Sequence, residues 1–419
     1  MIKRSDIEIM APVGSWESLH AAVQAKADSV YFGIDKLNMR SRSSVNFGFE
    51  DLKRITAFAQ QNNLRTYLTL NTTLYTGELS RMHEIIDAAA ENNISAVIVS
   101  DQAAISYAHQ KGLEVHLSTQ LSISNIDTVK FYASYADVMV LARELNLDQV
   151  KEISDQITRQ KITGPSGNPV IIEIFAHGAL CMSVSGKCYL SLHEYNHSAN
   201  RGACLQNCRR GYTVSDKENG SELDIENQYI MSPKDLLTIH FLNKITEAGV
   251  RVLKIEGRAR PPEYVKTVVR CYHEAILSIE DGTYSIEKIE EWKTRLSRVF
   301  NRGFWNGYYL GQRLGEWSNV YGSKATRKKI YIGKGMNYFS NLGVAEFLCE
   351  TGSLNTGDEI LITGPSTGVV ELKLDEIRVN MEKTNEVTKG QRFSIKVPET
   401  IRRSDKLYKL TILQDNTLQ

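Results

Sequence analysis

Residues 96–118, AVIVSDQAAISYAHQKGLEVHLS, contain one complete copy of a pattern that recurs along most of the chain. The apolar run AVIVS is typical of a strand buried on both faces, and QAAISYAHQKG is typical of an amphipathic helix. A second apolar run, LEVHLS, follows the helix. Strands that alternate with helices pair in parallel, because each helix returns the chain to the same end of the sheet. The stretch therefore predicts a βαβ unit.

Eight such apolar runs are present. They predict strands at 8–11, 29–32, 66–70, 96–100, 114–118, 137–142, 170–175 and 252–256. Eight strands with intervening helices favour a closed barrel over an open doubly wound sheet. No strand is followed by a glycine-rich phosphate-binding fingerprint, which argues against a dinucleotide-binding or P-loop protein. The predicted fold class is therefore α/β, with a (β/α)8 TIM-like barrel.

The composition is that of a globular protein, with 42% hydrophobic residues, 24% charged residues and a formal net charge of +1. A length of 419 residues exceeds one ordinary core. No apolar run is long enough for a membrane helix, and the first residues lack the apolar core of a secretory signal. We therefore expect a cytoplasmic protein with no membrane partner, in which thiols stay reduced.

A second unit is predicted from a change of pattern near residue 320. Short alternating runs such as KKIYIGKG, GDEILITGP and RFSIKV are separated by Gly, Asn, Asp and Ser turns. About six such strands are typical of a small all-β barrel domain. The predicted domains are thus 1–312, a (β/α)8 barrel, and 320–419, the small β-barrel.

A cysteine-rich insertion at about 178–230 follows the seventh predicted strand. It holds four of the six cysteines, with six, fifteen and three residues between them: Cys181, Cys188, Cys204 and Cys208. Insertions after barrel strands lie at the C-terminal face, where barrel active sites form. Part of the insertion is predicted to be a hairpin that pairs GYTVSD with NQYIMS. The helix of this unit is predicted to follow, in SPKDLLTIHFLNKITEAG.

Four reduced thiols in a loop are typical of a metal site, either a tetrahedral zinc ion or an iron–sulfur cluster. Zinc sites usually use pairs of cysteines two to four residues apart. The six-residue gap therefore favours a [4Fe–4S] cluster and leaves zinc open. Cys271 and Cys349 lie in apolar helix and strand patterns and are interpreted as core residues. Cys271 stays a reserve ligand if Cys208 does not bind.

Polar residues that end the predicted strands are candidates for a site, because these ends face the mouth of a barrel. Arg143 and Arg258 could bind a dicarboxylate through paired hydrogen bonds. Glu144 or Glu256 could act as a general base, or could hold those arginines in ion pairs.

The remaining candidates lie on or just after the other strands. Glu173 is inside the seventh predicted strand and needs a buried partner, for which Lys254 on the next barrel strand is predicted. Lys254 is also predicted to bind substrate. The further candidates are Asn71 and Gln120 for substrate binding and His177 for catalysis.

Several motifs resemble those of one known family. EIFAHGALCMSVSGKCYLS, residues 173–191, is similar to the signature of peptidase family U32, the collagenase-like proteins. It has a Glu, an aromatic residue two positions later, Gly-Ala-Leu-Cys, Gly-x-Cys and Ser. Similar motifs are APVGSWESLHAAVQAKADSVYFG, NRGACLQNCRR, LKIEGRARPPEYV and FNRGFWNGYYLG. The resemblance extends over essentially the whole chain.

The resemblance implies a function other than the old protease name. Members of the family include oxygen-independent hydroxylases with a [4Fe–4S] cluster on four cysteines. They act on the ubiquinone ring, on a ribosomal RNA cytidine or on the wobble uridine of tRNA, and those that act on RNA are linked to prephenate. A barrel followed by one small β-module is most similar to the tRNA branch. The resemblance thus implies prephenate-dependent conversion of wobble uridine to 5-hydroxyuridine.

A tRNA partner requires basic residues near the site, because phosphate contacts position an RNA. An unpaired anticodon base can enter the barrel mouth at modest cost. The β-module could instead dock iron–sulfur assembly proteins. The residues predicted to contact RNA are Arg201, Arg209, Arg210, Arg327, Lys328, Lys329, Arg402 and Arg403.

Three rival functions remain open. A collagenase-like peptidase could use a Cys–His dyad, but it would leave Cys204 and Cys208 without a role, and the G-x-S-x-G and H-E-x-x-H motifs are absent from the sequence. A hydroxylase could act on ribosomal RNA or a quinone. A non-catalytic RNA-binding or assembly protein would not need the cysteines.

Overall fold

A computed structural model of the chain describes residues 2–41, 46–213 and 229–413. The first ten strands belong to one sheet: β1 Glu8–Pro12, β2 Ser29–Phe32, β3 Arg65–Leu70, β4 Ala96–Val99, β5 Glu114–Leu117, β6 Val138–Val140, β7 Ile171–Gly178, β8 Asp235–Leu237, β9 Val252–Ile255 and β10 Phe304–Trp305. The predicted hairpin GYTVSD–NQYIMS falls largely on 214–228, outside the described residues.

The helices lie mainly between these strands. They are α1 Trp16–Gln24, α2 Phe49–Gln61, α3 Leu79–Glu91, α4 Gln102–Gln110, α5 Ile126–Ala133, α6 Leu147–Gln160, α7 Leu190–Tyr195, α8 Leu242–Glu247, α9 Pro262–Glu280 and α10 Ile286–Ser297. Within the described ranges, none of them has the length and apolar character needed to cross a membrane.

Eight of the ten strands close into a parallel barrel. β1 to β7 pair in chain order, and β9 pairs with both β7 and β1. These eight strands correspond to the eight predicted runs, so the predicted (β/α)8 barrel is confirmed. Their C-terminal ends meet at one face, from which the loops of a functional site rise.

β8 and β10 lie outside the barrel wall. β8 pairs antiparallel with the end of β7, and β10 pairs with β8. The prediction of a helix throughout SPKDLLTIHFLNKITEAG is wrong in its first half, because Asp235–Leu237 is a strand and α8 begins at Leu242. The cause is tertiary: β7 extends beyond its pairing with β6, and β8 supplies hydrogen-bond partners for its last residues.

Successive strand residues point to opposite faces, so the barrel strands serve two cores. One face, with residues such as Ile9 and Leu253, packs against the helices. The other face points into the barrel, where Met10, Tyr31, Tyr67, Ile98 and Val252 belong to a smaller cluster. Among the buried polar side chains of the barrel interior are His116, Glu173 and Lys254.

The chain after the barrel is an all-β module, as predicted. Its strands are β11 Arg327–Phe339, β12 Val344–Cys349, β13 Ser353–Asn355, β14 Glu359–Gly364, β15 Gly368–Lys373, β16 Ile377–Val379, β17 Glu382–Thr384, β18 Glu386–Thr388, β19 Arg392–Lys396 and β20 Lys406–Ile412. Eight form an antiparallel sheet in the order β15-β14-β20-β11-β12-β19-β16-β17, and β13 pairs with β18. The three-residue strands have no predicted counterpart, because so short a run shows no alternation.

The module packs against α1 and α9. Gln24 of α1 donates from Nε2 to the Thr367 carbonyl and accepts at Oε1 from the Val369 amide, both at 3.0 Å. Lys266 of α9 donates to the Val369 carbonyl at 2.6 Å. Leu361 and Val369 join the core cluster of the barrel. The two predicted units therefore share an interface with both polar and apolar contacts.

We expect Phe347→Ala to destabilise the module by about 3–5 kcal/mol, because it removes a fully buried ring. Phe347 stacks on Phe393 with ring centroids 5.8 Å apart. Denaturant unfolding followed by circular dichroism measures the loss. Phe339→Ala, whose ring is 43% exposed, is the control. Equal effects of the two variants would contradict a separate core in the module.

Candidate functional site

A cavity of about 210 Å³ lies at the C-terminal ends of the barrel strands. Its walls come from the ends of strands and from the loops that follow β2, β3, β5, β6, β7 and β9. This is the face at which active sites of (β/α)8 barrels form. The cavity thus joins residues that are far apart in the sequence.

The four cysteines of the insertion, Cys181, Cys188, Cys204 and Cys208, all line this cavity. Burial raises the pKa of the Cys208 thiol to about 11; the Arg209 guanidinium lowers it, and the other three cysteines raise it further. In the described part of the chain, no three His, Cys, Asp or Glu side chains meet at a point that would hold one metal ion. The other three thiols nevertheless lie near enough to Cys208 to act on it electrostatically.

The insertion leaves the barrel at Gly178, the last residue of β7. Its φ is 105°, and a Cβ there would collide with the Glu256 carbonyl oxygen, so only glycine fits. Arg209 then ties the insertion to the barrel. Its guanidinium donates to the carbonyls of Leu180 at 2.7 Å and Pro233 at 2.6 Å. These contacts keep the cysteine loop over the cavity.

Cys271 and Cys349 are fully buried in α9 and β12 and do not line the cavity. Burial raises the pKa of Cys271 to about 12. The position of Cys271 in the helix layer separates it from the other four thiols, so the structure does not bring the reserve ligand to the site.

Glu256 is an ion-pair partner within the cavity wall. Its Oε1 accepts from Arg40 Nη2 at 2.5 Å, and its Oε2 accepts from the Tyr31 hydroxyl at 3.1 Å. Burial by itself raises the pKa of Glu256, but Arg40, with Arg143 and Arg258, lowers it to about 2. Two roles are predicted for Glu256, a general base and an ion-pair partner of arginines. The geometry fits the ion-pair partner, because a carboxylate with so low a pKa is too weak a base to take up a proton at neutral pH.

Arg258 and Arg143 both line the cavity. Arg258 is buried and donates from Nη1 to Thr69 Oγ1 at 2.8 Å and Asn38 Oδ1 at 3.1 Å. Burial lowers the pKa of Arg258 to about 10. Arg143 stacks on Phe175 at 3.9 Å, and its buried Nε has no hydrogen-bond partner. Arg143 thus keeps one hydrogen-bond donor unused beside the cavity.

The other three residues predicted to bind substrate are Asn71, Gln120 and Lys254, and they also line the cavity. Asn71 donates to Ser118 Oγ at 3.2 Å, and Gln120 donates to the Asn71 carbonyl at 3.1 Å. Lys254 donates to Glu173 Oε1 at 2.7 Å, and Glu173 is the partner that the sequence predicts for it. The structure therefore places Asn71, Gln120 and Lys254 beside the arginines.

His177 and Glu144 lie outside this cavity. A register shift between Phe175 and His177 turns the histidine out of the barrel, against the rings of Tyr264 and Tyr272. Burial, with a contribution from a nearby arginine, lowers its pKa to about 3. Glu144 is exposed and lines a second cavity of about 240 Å³ beside the first. Neither predicted catalytic role is supported by a contact with the main cavity.

The arginines predicted to bind RNA in the insertion have partners of their own. Arg201 forms a two-pronged ion pair with Glu78, at 2.6 and 2.9 Å, and stacks on Tyr75 at 3.6 Å. Arg210 is exposed and pairs with Glu194 at 3.2 Å. Arg209 is half-buried, like Arg201, and makes the contacts described above. Arg210 is the one exposed residue of these three.

The predicted RNA-binding residues of the module form two separate groups. Arg327 pairs with Glu371 at 2.7 Å, and Lys329 pairs with Glu263 of α9 at 2.7 Å. These lie near the start of β11, whereas the other group precedes β20 and lies at the opposite end of the β11–β20 pairing. The exposed members of the two groups are Lys328, Arg402 and Arg403.

Sequence reasoning missed the loop after β2. It brings Asn38 and Arg40 into contact with Arg258 and Glu256. This loop has no periodicity, and a charged residue in it looks like an ordinary surface residue. The only available signal was its position after a barrel strand.

Comparison with known proteins matches these features to one family. The profile described as Peptidase family U32 matches residues 14–319. The chain is 63% identical over 405 residues to a protein of Porphyromonas gingivalis named collagenase, covering 97% of this chain and 98% of that one.

Two further relatives are named as acting on RNA. Identity to the tRNA hydroxylation protein P1 of Bacillus subtilis is 30% over 383 residues, covering 88% of this chain and 87% of that one. Identity to a 23S rRNA 5-hydroxycytidine synthase of Escherichia coli is 30% over 317 residues, covering 74% and 46% respectively. The extent of these matches confirms the resemblance of the motifs, and the chain belongs to peptidase family U32.

Proposed function

We propose that this chain is an iron–sulfur-dependent enzyme that hydroxylates the wobble uridine of tRNA to 5-hydroxyuridine, with prephenate as co-substrate. The observation that carries the proposal is that four cysteines line the same cavity as Arg143, Lys254 and Arg258. The relatives named as hydroxylating tRNA or rRNA support it.

The donor set fits a [4Fe–4S] cluster. Each thiolate of such a cluster binds a different iron, so its ligands do not have to meet at one point, and Cys181, Cys188, Cys204 and Cys208 all line one cavity. The Arg209 guanidinium lowers the pKa of the Cys208 thiol and so offsets part of the effect of burial. When bound, the cluster would supply electron transfer at the cavity wall.

The cationic side of the cavity suits a dicarboxylate such as prephenate. Arg143 has an unpartnered Nε, and Arg258 and Lys254 are buried cations at the same wall. A guanidinium binds a carboxylate through two parallel hydrogen bonds. Because Glu256 stays ionised, it holds Arg40 in place and limits the net positive charge of the empty cavity.

The rim of the site carries exposed aromatic rings that suit an unpaired RNA loop. Tyr75 follows β3 and is 61% exposed; Tyr189 and Tyr195, in the insertion, are 73% and 40% exposed. Bases of single-stranded RNA stack on such rings. Arg201 lies on Tyr75 and Arg210 lies near Tyr195, so cationic charge accompanies the stacking surfaces.

The collagenase-like alternative lacks an activated nucleophile in the described ranges. No hydrogen bond there joins a cysteine thiol to a histidine. His197 instead bonds the Tyr195 carbonyl at 2.6 Å. A Cys–His dyad needs that contact to form the thiolate. Cleavage of gelatin by metal-free protein would favour this alternative over the proposal.

We expect protein purified without oxygen to contain about four irons and four acid-labile sulfides per chain. Cys208→Ser should lose most of this iron, because a hydroxyl is a poor ligand for the cluster. Cys271→Ala, which removes a buried thiol outside the cavity, should retain it. Iron, sulfide and zinc analysis with visible absorption measures the result. One zinc without sulfide, or iron loss in Cys271→Ala alone, would contradict the ligand set.

We expect deletion of the gene, in a strain without other tRNA hydroxylases, to remove 5-hydroxyuridine and its derivatives from total tRNA. Nucleoside mass spectrometry measures them. Expression of the wild type or of Cys271→Ala should restore the signal, and Cys188→Ala should not. Unchanged nucleosides in the deletion strain, or rescue by Cys188→Ala, would refute the proposed function.

A further inference from the structure

We propose that the barrel interior conducts protons between solvent at its N-terminal face and the cavity at its C-terminal face. The path runs through four side chains, in the spatial order Glu114, His116, Glu173 and Lys254. The reaction that it serves rests on the proposed function, whereas the path itself rests on the contacts described below.

The path begins at Glu114, the first residue of β5. Its side chain is 30% exposed, and Oε1 lies 2.8 Å from His116 Nε2. Arg65 holds the carboxylate with two hydrogen bonds of 2.8 and 2.7 Å. Solvent therefore reaches one end of the path at the bottom of the barrel.

The middle link joins two fully buried groups. His116 Nδ1 and Glu173 Oε2 lie 3.8 Å apart, and neither atom has a hydrogen-bond partner. Buried polar atoms without partners are rare and call for an explanation. A small rotation of either side chain would close the gap between these two atoms to a hydrogen bond.

The path ends in the cavity. Glu173 Oε1 accepts from Lys254 Nζ at 2.7 Å, and Lys254 lines the cavity wall. The other side of Nζ faces the ring of Tyr31, 4.8 Å away. Lys254 is thus the only member of the path that a molecule in the cavity can touch among the described residues.

The charges around His116 suit a proton carrier. Glu114 and Glu173 face it from two sides, and the Tyr67 ring lies 4.5 Å away. Burial lowers the pKa of His116, but the two carboxylates outweigh burial and raise it above its ordinary value. The carboxylates on both sides thus favour the protonated form of His116, although its ring has no contact with solvent.

One passage moves one proton and no electrons. Lys254 gives a proton to a basic atom in the cavity and becomes a neutral amine. The His116 imidazolium passes its Nδ1 proton to Glu173, Glu173 passes a proton to Lys254, and the ring is left neutral with its remaining proton at Nε2. The ring then turns or exchanges tautomer, so that a nitrogen without a proton faces Glu114. The Glu114 carboxylate relays a proton from water to that nitrogen and restores the imidazolium, and the reverse direction uses the same steps.

Glu173→Gln and His116→Gln should each slow turnover about 100-fold without changing KM, as expected for the loss of proton transfer. The control is Glu8→Gln. Glu8 accepts from Tyr67 and Ser29 at 2.7 and 2.6 Å, so it belongs to the same polar interior but lies off the path. Turnover of the Glu8→Gln variant should stay within about threefold of the wild-type value. Small protonated amines should partly restore the turnover of Glu173→Gln, because they can donate the missing proton. Equal losses in the control and the path variants would overturn the proposal.

A second measurement is independent of the reaction. Histidine NMR should show His116 titrating in the wild type, with a pKa above the ordinary value of 6.5. Glu173→Gln should lower this pKa, because a neutral amide no longer favours the imidazolium, and Glu8→Gln should not. Titration of His116 without any tRNA hydroxylation would refute the proposed function and support the path. A His116 that stays neutral between pH 5 and 9 would overturn the path.

Discussion

The buried ion pair between Lys254 and Glu173 lies where the barrel closes. β9 is the strand that joins β7 to β1, and Lys254 stands opposite Phe175 on one side and Met10 on the other. A slip of one residue in β9 would turn Lys254 toward the helices and leave a charge buried without a partner. The pair therefore specifies the register at the closing seam more than it adds stability.

That register also sets the wall of the cavity. Side chains two residues apart in a strand point the same way, so Lys254, Glu256 and Arg258 all face inward. The first contacts Glu173, the second contacts Arg40 and the third contacts Thr69. Each of them is held by a different strand or loop, which gives the cavity its rigidity. Burial by itself disfavours the anionic form of Glu256, but the surrounding arginines outweigh burial and keep the carboxylate ionised.

The sequence was sufficient for the barrel and for part of the site. Continuous apolar runs identified all eight barrel strands, and their position at a strand end pointed to Glu256 and Arg258. The same reasoning misled for His177, because the register shift in β7 turns its side chain away from the cavity. It was silent on Arg40, since a loop has no period, and on the ion pairs that engage Arg327 and other basic residues. Such partners become visible only in three dimensions.

The glycine at the end of β7, Gly178, fixes the direction in which the insertion leaves the barrel. Because no side chain fits at Gly178, the insertion always departs in one direction, and its return is secured by the hydrogen bonds of Arg209 to Leu180 and Pro233. The segment that carries the four cysteines is thereby held at both of its ends. A change in the chain that follows Arg209 would therefore leave the four thiols at the mouth of the barrel.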